Sequence, residues 1–237
     1  MTQALLLAAG LGTRLRPLTD ACAKPAIPVA GEPIIRRIVR WLAVHDVRDL
    51  VVNLHYLPQT VTAVLGDGSD LSVRVRYSWE QPRILGSAGG PRHALDLLGE
   101  DTFVIVNGDT LTDLNLTALL EAHRASGAAV TMALVPNREP DKYGGVVLDR
   151  DSRVVGFVSR GVSAAGSHHF IGVQAARAEV FRDIPAGEPA SSVGGVYDAL
   201  IAARPGSIHG FVSDATFWDI GTIADYQRTC AEFEQQT

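Results

Sequence analysis

Cysteine is scarce. Two residues, Cys22 and Cys230, occur in 237 positions, which gives neither a disulfide framework nor metal-ligand spacing and points to a reducing compartment, the cytoplasm. Aromatic residues make up only 6%, too few to pave a stacked polysaccharide groove, so a small substrate is expected. There is no basic run. Acidic residues, 26, outnumber the 21 lysines and arginines for a net charge of -5, which argues against nucleic acid as a partner. No apolar stretch approaches the roughly 20 residues that cross a bilayer, so no membrane partner is expected. The opening MTQALLLAAG lacks the basic leader of a signal peptide and stops at the length of a buried strand.

The composition is otherwise that of an ordinary globular chain, with 46% hydrophobic and 20% charged residues. Residues 1–237 are expected to form one domain, with 1–135 as one half and 136–237 as a lobe with closing elements. Strands are predicted at 3–9, 49–55, 71–77, 103–109 and 128–135. Helices at 33–45, 57–65, 90–98 and 115–126 separate them, with a glycine-rich loop at 81–90. Strand then helix, repeated, predicts a parallel, doubly wound α/β sheet. After Pro136 the rhythm changes. A hairpin is predicted from 142–149 and 153–159, then a strand at 168–174, helices at 175–181 and 193–203, strands at 207–213 and 216–220, and a last helix at 222–234.

Four segments carry candidate chemistry. The loop at 10–31 holds Pro17, Pro25 and Pro28 and is long enough to need a purpose. It leaves the carboxyl end of the first strand, where open α/β sheets bind ligands. Gly10 and Gly12 free the backbone N–H groups of Leu11, Gly12 and Thr13 to converge on phosphate oxygens. Arg14 adds a guanidinium fork and Lys24 a mobile charge. The glycine spacing fits neither the Walker loop nor the dinucleotide fingerprint. In VIVNGDT, Asn107 and Asp109 end a buried strand beside that loop, and Asp109 is a candidate Mg²⁺ ligand; NGD reads equally as a turn. In TFWDIGT, Asp219 offers a second carboxylate or a plain helix cap. In EQPRILGSAGG, small residues could admit a planar base beside backbone, with Glu80 and Gln81 as polar contacts, or form a simple flexible loop.

LLLAAGLGTRLRPLT and KPAIPVAGEPII, followed in order by ILGSAGG, VNGDT, KYGGV and WDIGT, resemble the short, single-domain sugar-1-phosphate nucleotidylyltransferases over nearly the whole chain. The resemblance implies a Rossmann-like α/β/α sandwich with a mostly parallel mixed sheet and a small substrate-binding lobe. It implies Mg²⁺-dependent attack of a sugar 1-phosphate on the α-phosphorus of an NTP. Ala8, Ala9, Gly10, Leu11, Gly12, Thr13 and Arg14 would then hold the nucleotide, with Arg14 on the β- and γ-phosphates and Lys24 near the α-phosphate. Gln81, Gly86, Ser87, Ala88 and Asn107 would complete the nucleotide site, and Asp109 and Asp219 would ligate Mg²⁺.

Gly144, Arg160 and Gly172 would meet the sugar phosphate, Arg160 standing where many relatives carry a lysine. Of His168 and His169, at most one should face the cleft, because neighbouring strand residues point opposite ways. No histidine is needed as a general base, since the acceptor is already an anion. GTP or UTP with a mannose-, heptose-, glucose- or N-acetylmuramate-type 1-phosphate is favoured. The competing readings are a cytidylyltransferase for an alcohol phosphate such as phosphocholine, which would need an aromatic cage, and a non-catalytic sugar-nucleotide-binding subunit.

Overall fold

The computed structural model describes residues 2–235. β1 (Gln3–Leu7) leads through two 3₁₀ turns, Thr13–Leu15 and Lys24–Ala26, to the short ribbon of β2 (Pro28–Val29) and β3 (Glu32–Pro33). Next come α1 (Ile34–Val44), β4 (Asp49–Leu54), α2 (Pro58–Leu65), β5 (Arg74–Trp79), α3 (Gly86–Ala94), β6 (Thr102–Asn107), β7 (Thr110–Thr112), α4 (Leu116–Ser126) and β8 (Val130–Pro136). The remainder is β9 (Gly145–Leu148), β10 (Val154–Val158), β11 (His168–Arg177), α5 (Glu179–Arg182), α6 (Tyr197–Ala203), β12 (Ile208–Val212), β13 (Phe217–Asp219) and α7 (Ile223–Glu234).

β1 pairs in parallel with β4 on one side and β6 on the other, and β5 continues beyond β4 in parallel. β11 lies antiparallel between β6 and β8, and β12 extends the sheet parallel to β8. β5, β4, β1, β6, β8 and β12 therefore all run one way, with β11 reversed. The hairpin of β9 and β10 joins at the start of β11, where His168 faces Val146. The result is a mixed, largely parallel sheet flanked by helices, fed by both halves of the chain.

The period of two decides the layers. Ala4 and Leu6 of β1 pack with Ile35, Ile38, Val39 and Leu42 of α1 on one face. Leu5 packs on the other with Val51, Phe103, Ile105 and Phe181. With both faces covered, the central strands are continuous apolar runs.

Several elements depart from the sequence reading. The segment 175–181, expected as a helix, instead prolongs β11 to Arg177, leaving only Glu179–Arg182 helical. Ala175 and Ala176 are fully buried and pair with both β6 and β8, so sheet pairing overrides alanine's helix preference. The expected loop at 81–90 becomes helical from Gly86. Its first turn is capped from outside: the Ala190 carbonyl accepts the N–H groups of Ala88 at 2.9 Å and Gly89 at 3.3 Å. β8 does not follow β6 in the sheet, because β11 intervenes. β13 leaves the main sheet altogether and pairs with β7.

Candidate active site at the sheet's switch point

The strand order turns at β1, and there the chain leaves a crevice at the carboxyl ends of the strands. Leu7 is in register with Asn53 at the end of β4 and with Asn107 at the end of β6. Three loops therefore start from one level. They enclose a cleft of about 470 Å³ whose wall includes Ala9, Gly10, Leu11, Gly12, Thr13, Arg14, Lys24, Asn53, Gly86, Ser87, Asn107 and Asp109.

Local chemistry shapes the loop after β1. Gly12 sits at φ 63, the left-handed region, and a Cβ there would come within 2.8 Å of Thr19 Cγ2. Only glycine fits both conditions. Thr19 in turn donates its hydroxyl to the Gly12 carbonyl at 2.8 Å, and Tyr56 donates to the Thr19 carbonyl at 2.9 Å. The backbone N–H groups of Gly10, Leu11, Gly12, Thr13 and Arg14 have no partner among the described residues. Five donors on one pinned loop form an anion-receiving surface. Arg14 is exposed and likewise has no carboxylate partner there.

Lys24 is already engaged. Its ammonium lies 2.5 Å from Asp109 Oδ2, with the lysine side chain 11% exposed and the aspartate 35%. The sequence suggests a mobile charge at Lys24; the structure shows it in an ion pair on the cleft wall. β7 and β13 pair antiparallel with Asp219 opposite Thr110, which brings the second carboxylate beside the first. The Tyr143 hydroxyl donates to Asp219 Oδ2 at 3.2 Å, and Lys142 Nζ lies 3.6 Å from the same oxygen. Lys142 also donates to Asp225 at 2.8 Å, and Asp225 pairs with Thr222 at the start of α7. Burial opposes the shift, yet hydrogen bonds and charge from Lys142, Thr222 and Arg228 pull the Asp225 carboxyl below its ordinary value.

Asp219 opens onto a second compartment of about 330 Å³. Arg14, Asn107 and Asp109 are shared with the first, while Thr110, Lys142, Tyr143, Arg160, His169, Gly172 and Phe217 are new. Gly172, at φ 81, forms a bulge in β11 between Phe170 and Gln174. A Cβ there would fall 2.5 Å from Thr110 Oγ1 and 2.7 Å from Asn107 Nδ2, so the bulge presses backbone directly against the side chains that flank the turn between β6 and β7. Tyr143, His169 and Phe217 stack, with Tyr143 and His169 centroids 4.1 Å apart and His169 and Phe217 5.0 Å apart. Burial drives His169 down to about 4, so its ring is neutral at neutral pH. His169 lines the compartment, and His168 does not.

Other sequence candidates fall elsewhere. Ala8 and Ala88 are buried and off the wall, and the Ala8 N–H is spent on Asn53 Oδ1 at 2.6 Å. Gln81 is exposed outside the cleft. Glu80, expected to touch the base, is fully buried and bonds Asn53 Nδ2 and the Leu85 N–H. Gly144 is off the wall, although its neighbours Lys142 and Tyr143 are on it. Asn53, Lys142 and Tyr143 were not singled out from sequence. Asn53 had one signal, an amide closing an apolar strand run.

No group of three or more His, Cys, Asp or Glu gathers among the described residues. A divalent ion between Asp109 and Asp219 would therefore complete its shell from substrate phosphate and water. That hard-oxygen, half-open donor set suits Mg²⁺. No helix among the described residues is long and apolar enough to cross a membrane.

Residues 3–236 match the Nucleotidyl transferase family. The chain is 34% identical over 230 residues to a mannose-1-phosphate guanylyltransferase of Mycobacterium tuberculosis, covering 97% of this chain and 64% of that protein. It is also 34% identical over 223 residues to an N-acetylmuramate alpha-1-phosphate uridylyltransferase of Neisseria meningitidis serogroup B, covering 93% and 94%. The crystal structure of HddC from Yersinia pseudotuberculosis superposes with a TM-score of 0.85 at 24% identity, over 98% of this chain and 100% of that one, a likeness of fold. With the match spanning nearly every residue and the cleft built from the matched segments, the chain belongs to the nucleotidyl transferase family, among the sugar-1-phosphate nucleotidylyltransferases, a family of enzymes.

Proposed function

We propose that this chain transfers a nucleotidyl group from an NTP to a sugar 1-phosphate, releasing pyrophosphate. The observation that carries the reading is the pair of compartments meeting at Arg14, Asn107 and Asp109. One is ringed by unpartnered backbone donors and the other by cations and stacked rings, which suits a triphosphate beside a phosphorylated sugar. An oxygen of the sugar phosphate attacks the α-phosphorus, and the bond to the β-phosphate oxygen breaks with its electrons leaving on pyrophosphate. The attacking group is already an anion, so the chain's task is to bring two anions together and stabilise developing charge. Five loop N–H groups and Arg14 receive the leaving pyrophosphate. Lys24 shifts between Asp109 and the α-phosphate. Arg160 and Lys142 face the acceptor phosphate, and neutral His169 serves as wall. Members of the family typically use a divalent metal. Asp109 and Asp219 would hold Mg²⁺, which when bound supplies charge neutralisation to the reacting phosphates.

GTP or UTP is the favoured donor. The Ala190 carbonyl takes the Ala88 and Gly89 N–H groups and Glu80 takes that of Leu85, which leaves the Gly86 and Ser87 N–H groups on the cleft wall without a partner among the described residues. Two donors suit the keto oxygen of guanine or uracil and oppose the amino group of adenine or cytosine. The named relatives act on mannose and N-acetylmuramate 1-phosphates; the same class, with heptose and glucose 1-phosphates, is proposed as the acceptor.

The test is pyrophosphate release across five NTPs and a panel of sugar 1-phosphates, with Mg²⁺ present or chelated. Metal-dependent release with GTP or UTP and one such sugar is expected. Release only with CTP and an alcohol phosphate, or nucleotide binding without any release, would replace this reading with a cytidylyltransferase or a regulatory subunit.

A further inference from the structure

The chemistry above leaves one buried charge without a role. Glu80 is wholly excluded from solvent, and no lysine, arginine or histidine side chain pairs with its carboxylate among the described residues; His55 reaches only its backbone carbonyl, at 2.8 Å. Its oxygens accept from neutral donors instead: Asn53 Nδ2 at 2.7 Å and the Leu85 N–H at 2.7 Å. Asn53, also buried, uses Oδ1 to accept the Ala8 N–H at 2.6 Å. A single hydrogen-bonded line thus runs from the root of the phosphate loop, through Asn53 and Glu80, to the residue that caps α3. Gly90 rests on its centre, where a Cβ would come within 2.6 Å of Glu80 Oε1 and 2.7 Å of Asn53 Nδ2.

The polarity of this line is dictated by its ends. Both are backbone donors, so the two side chains between them must supply three acceptors and one donor. An amide beside a carboxylate does so, whereas two amides leave a donor facing a donor and two carboxylates leave like charges in contact. An unpaired carboxylate is costly to bury, and here two neutral donors, Asn53 Nδ2 and the Leu85 N–H, hold it. The two backbone groups it joins, at Ala8 and Leu85, lie behind the cleft wall and lead into segments that line it: the donor loop of residues 10–14 and the Gly86–Ser87 turn.

We propose that Asn53 and Glu80 are positioning residues, a polar brace that holds the phosphate-receiving loop and the base-facing turn at one spacing, so that base and phosphates are recognised together. The inference rests on the nucleotidyl-transfer reading. Neither residue touches the acceptor compartment, so loosening the brace acts on the nucleotide and spares the sugar phosphate.

The experiment compares E80Q, N53D and the double substitution N53D/E80Q with the wild-type chain, using the NTP and sugar 1-phosphate that the pyrophosphate assay selects. In the double variant the carboxylate at position 53 accepts from Ala8 and from the new amide at position 80, whose oxygen accepts from Leu85. Three acceptors and one donor are restored in reversed order. Each single variant is expected to raise KM for the NTP about tenfold and to narrow the preference between keto and amino bases, with KM for the sugar phosphate within about twofold of wild type. The double variant is expected to recover both to within about threefold. Amide hydrogen exchange at Ala8 and Leu85 should quicken in the singles and slow again in the double. Singles that keep NTP affinity and base preference, or a double variant as impaired or as poorly folded as the singles combined, would overturn the brace. A wild-type chain silent with every substrate pair would sink the functional reading instead, while the exchange measurement still decides whether the line exists as drawn.

Discussion

Replacing Lys24 with methionine is expected to move metal binding and catalysis in opposite directions. The Lys24 ammonium lies 2.5 Å from Asp109 Oδ2, on an oxygen that a divalent ion would need. Two unit charges about 4 Å apart attract by about 1 kcal/mol in water and about 4 kcal/mol at an effective dielectric of 20. Asp109 is about one-third exposed, so solvent screening brings the pair to about 1–2 kcal/mol. Removing the competing ammonium should tighten Mg²⁺ or Mn²⁺ binding to the nucleotide-free protein by about 5- to 30-fold. In the proposed reaction the same side chain would be one of few cations near the α-phosphate. Loss of one preorganised charge-stabilising donor costs about 10²–10³ in kcat. Mn²⁺ titration by electron paramagnetic resonance reads the first effect and pyrophosphate release at saturating substrates the second. Weaker metal binding in Lys24→Met, or kcat within about threefold of wild type, would refute the reasoning.

Gly172→Ala places a Cβ 2.5 Å from Thr110 Oγ1 at φ 81; left-handed strain and overpacking together should cost about 2–4 kcal/mol in urea unfolding, and a loss under about 1 kcal/mol would contradict the bulge contact. His169 is held at about 4 against 6.5 when unfolded, so the unfolded chain binds a proton that the folded chain refuses, and stability should fall as pH drops from 6.5 towards 4 by up to about 3 kcal/mol. His123 is depressed likewise by burial and contributes a comparable amount, so His169→Phe should remove about half of the slope that the two histidines produce together; an unchanged slope would count against a neutral, buried ring. The Asp225 carboxyl is held below 3.8, so its contribution is present above that value and is lost as pH falls through the lower folded value. Denaturant unfolding of Asp225→Asn should show lower stability at neutral pH and a shallower acid limb, and wild-type behaviour on both would rule the pair out as an anchor for α7.

The parts legible in the sequence are those in which chemistry lies along a short contiguous run. Gly10 to Arg14 and the pair Asn107 and Asp109 sit at strand ends, where an apolar run stopping at polar residues fixes their place in an α/β crevice. What stayed hidden depends on distant segments. Tyr143, His169 and Phe217 become one stacked wall only after β11, the hairpin before it and β13 are assembled. The LGSAGG segment reads as a loop because glycine disfavours helices, yet the Ala190 carbonyl, about a hundred residues away, caps its first turn. Its glycines serve close packing, as at Gly90 over Glu80. Glu80 itself reads as a polar contact for the base because an exposure of 0% has no signature in a segment flanked by Trp79 and Gln81.

The central claim, that a sugar phosphate oxygen attacks the α-phosphorus where the two compartments meet, is tested most directly by isotope tracing. The preferred NTP is incubated with a sugar 1-phosphate carrying ¹⁸O on its three non-bridging phosphate oxygens, and the products are weighed by mass spectrometry. All three labels should remain in the NDP-sugar, one of them now bridging the two phosphorus atoms, and pyrophosphate should carry none. Label in pyrophosphate, or an unlabelled bridge in the NDP-sugar, would mean that the bond forms elsewhere and would contradict the account.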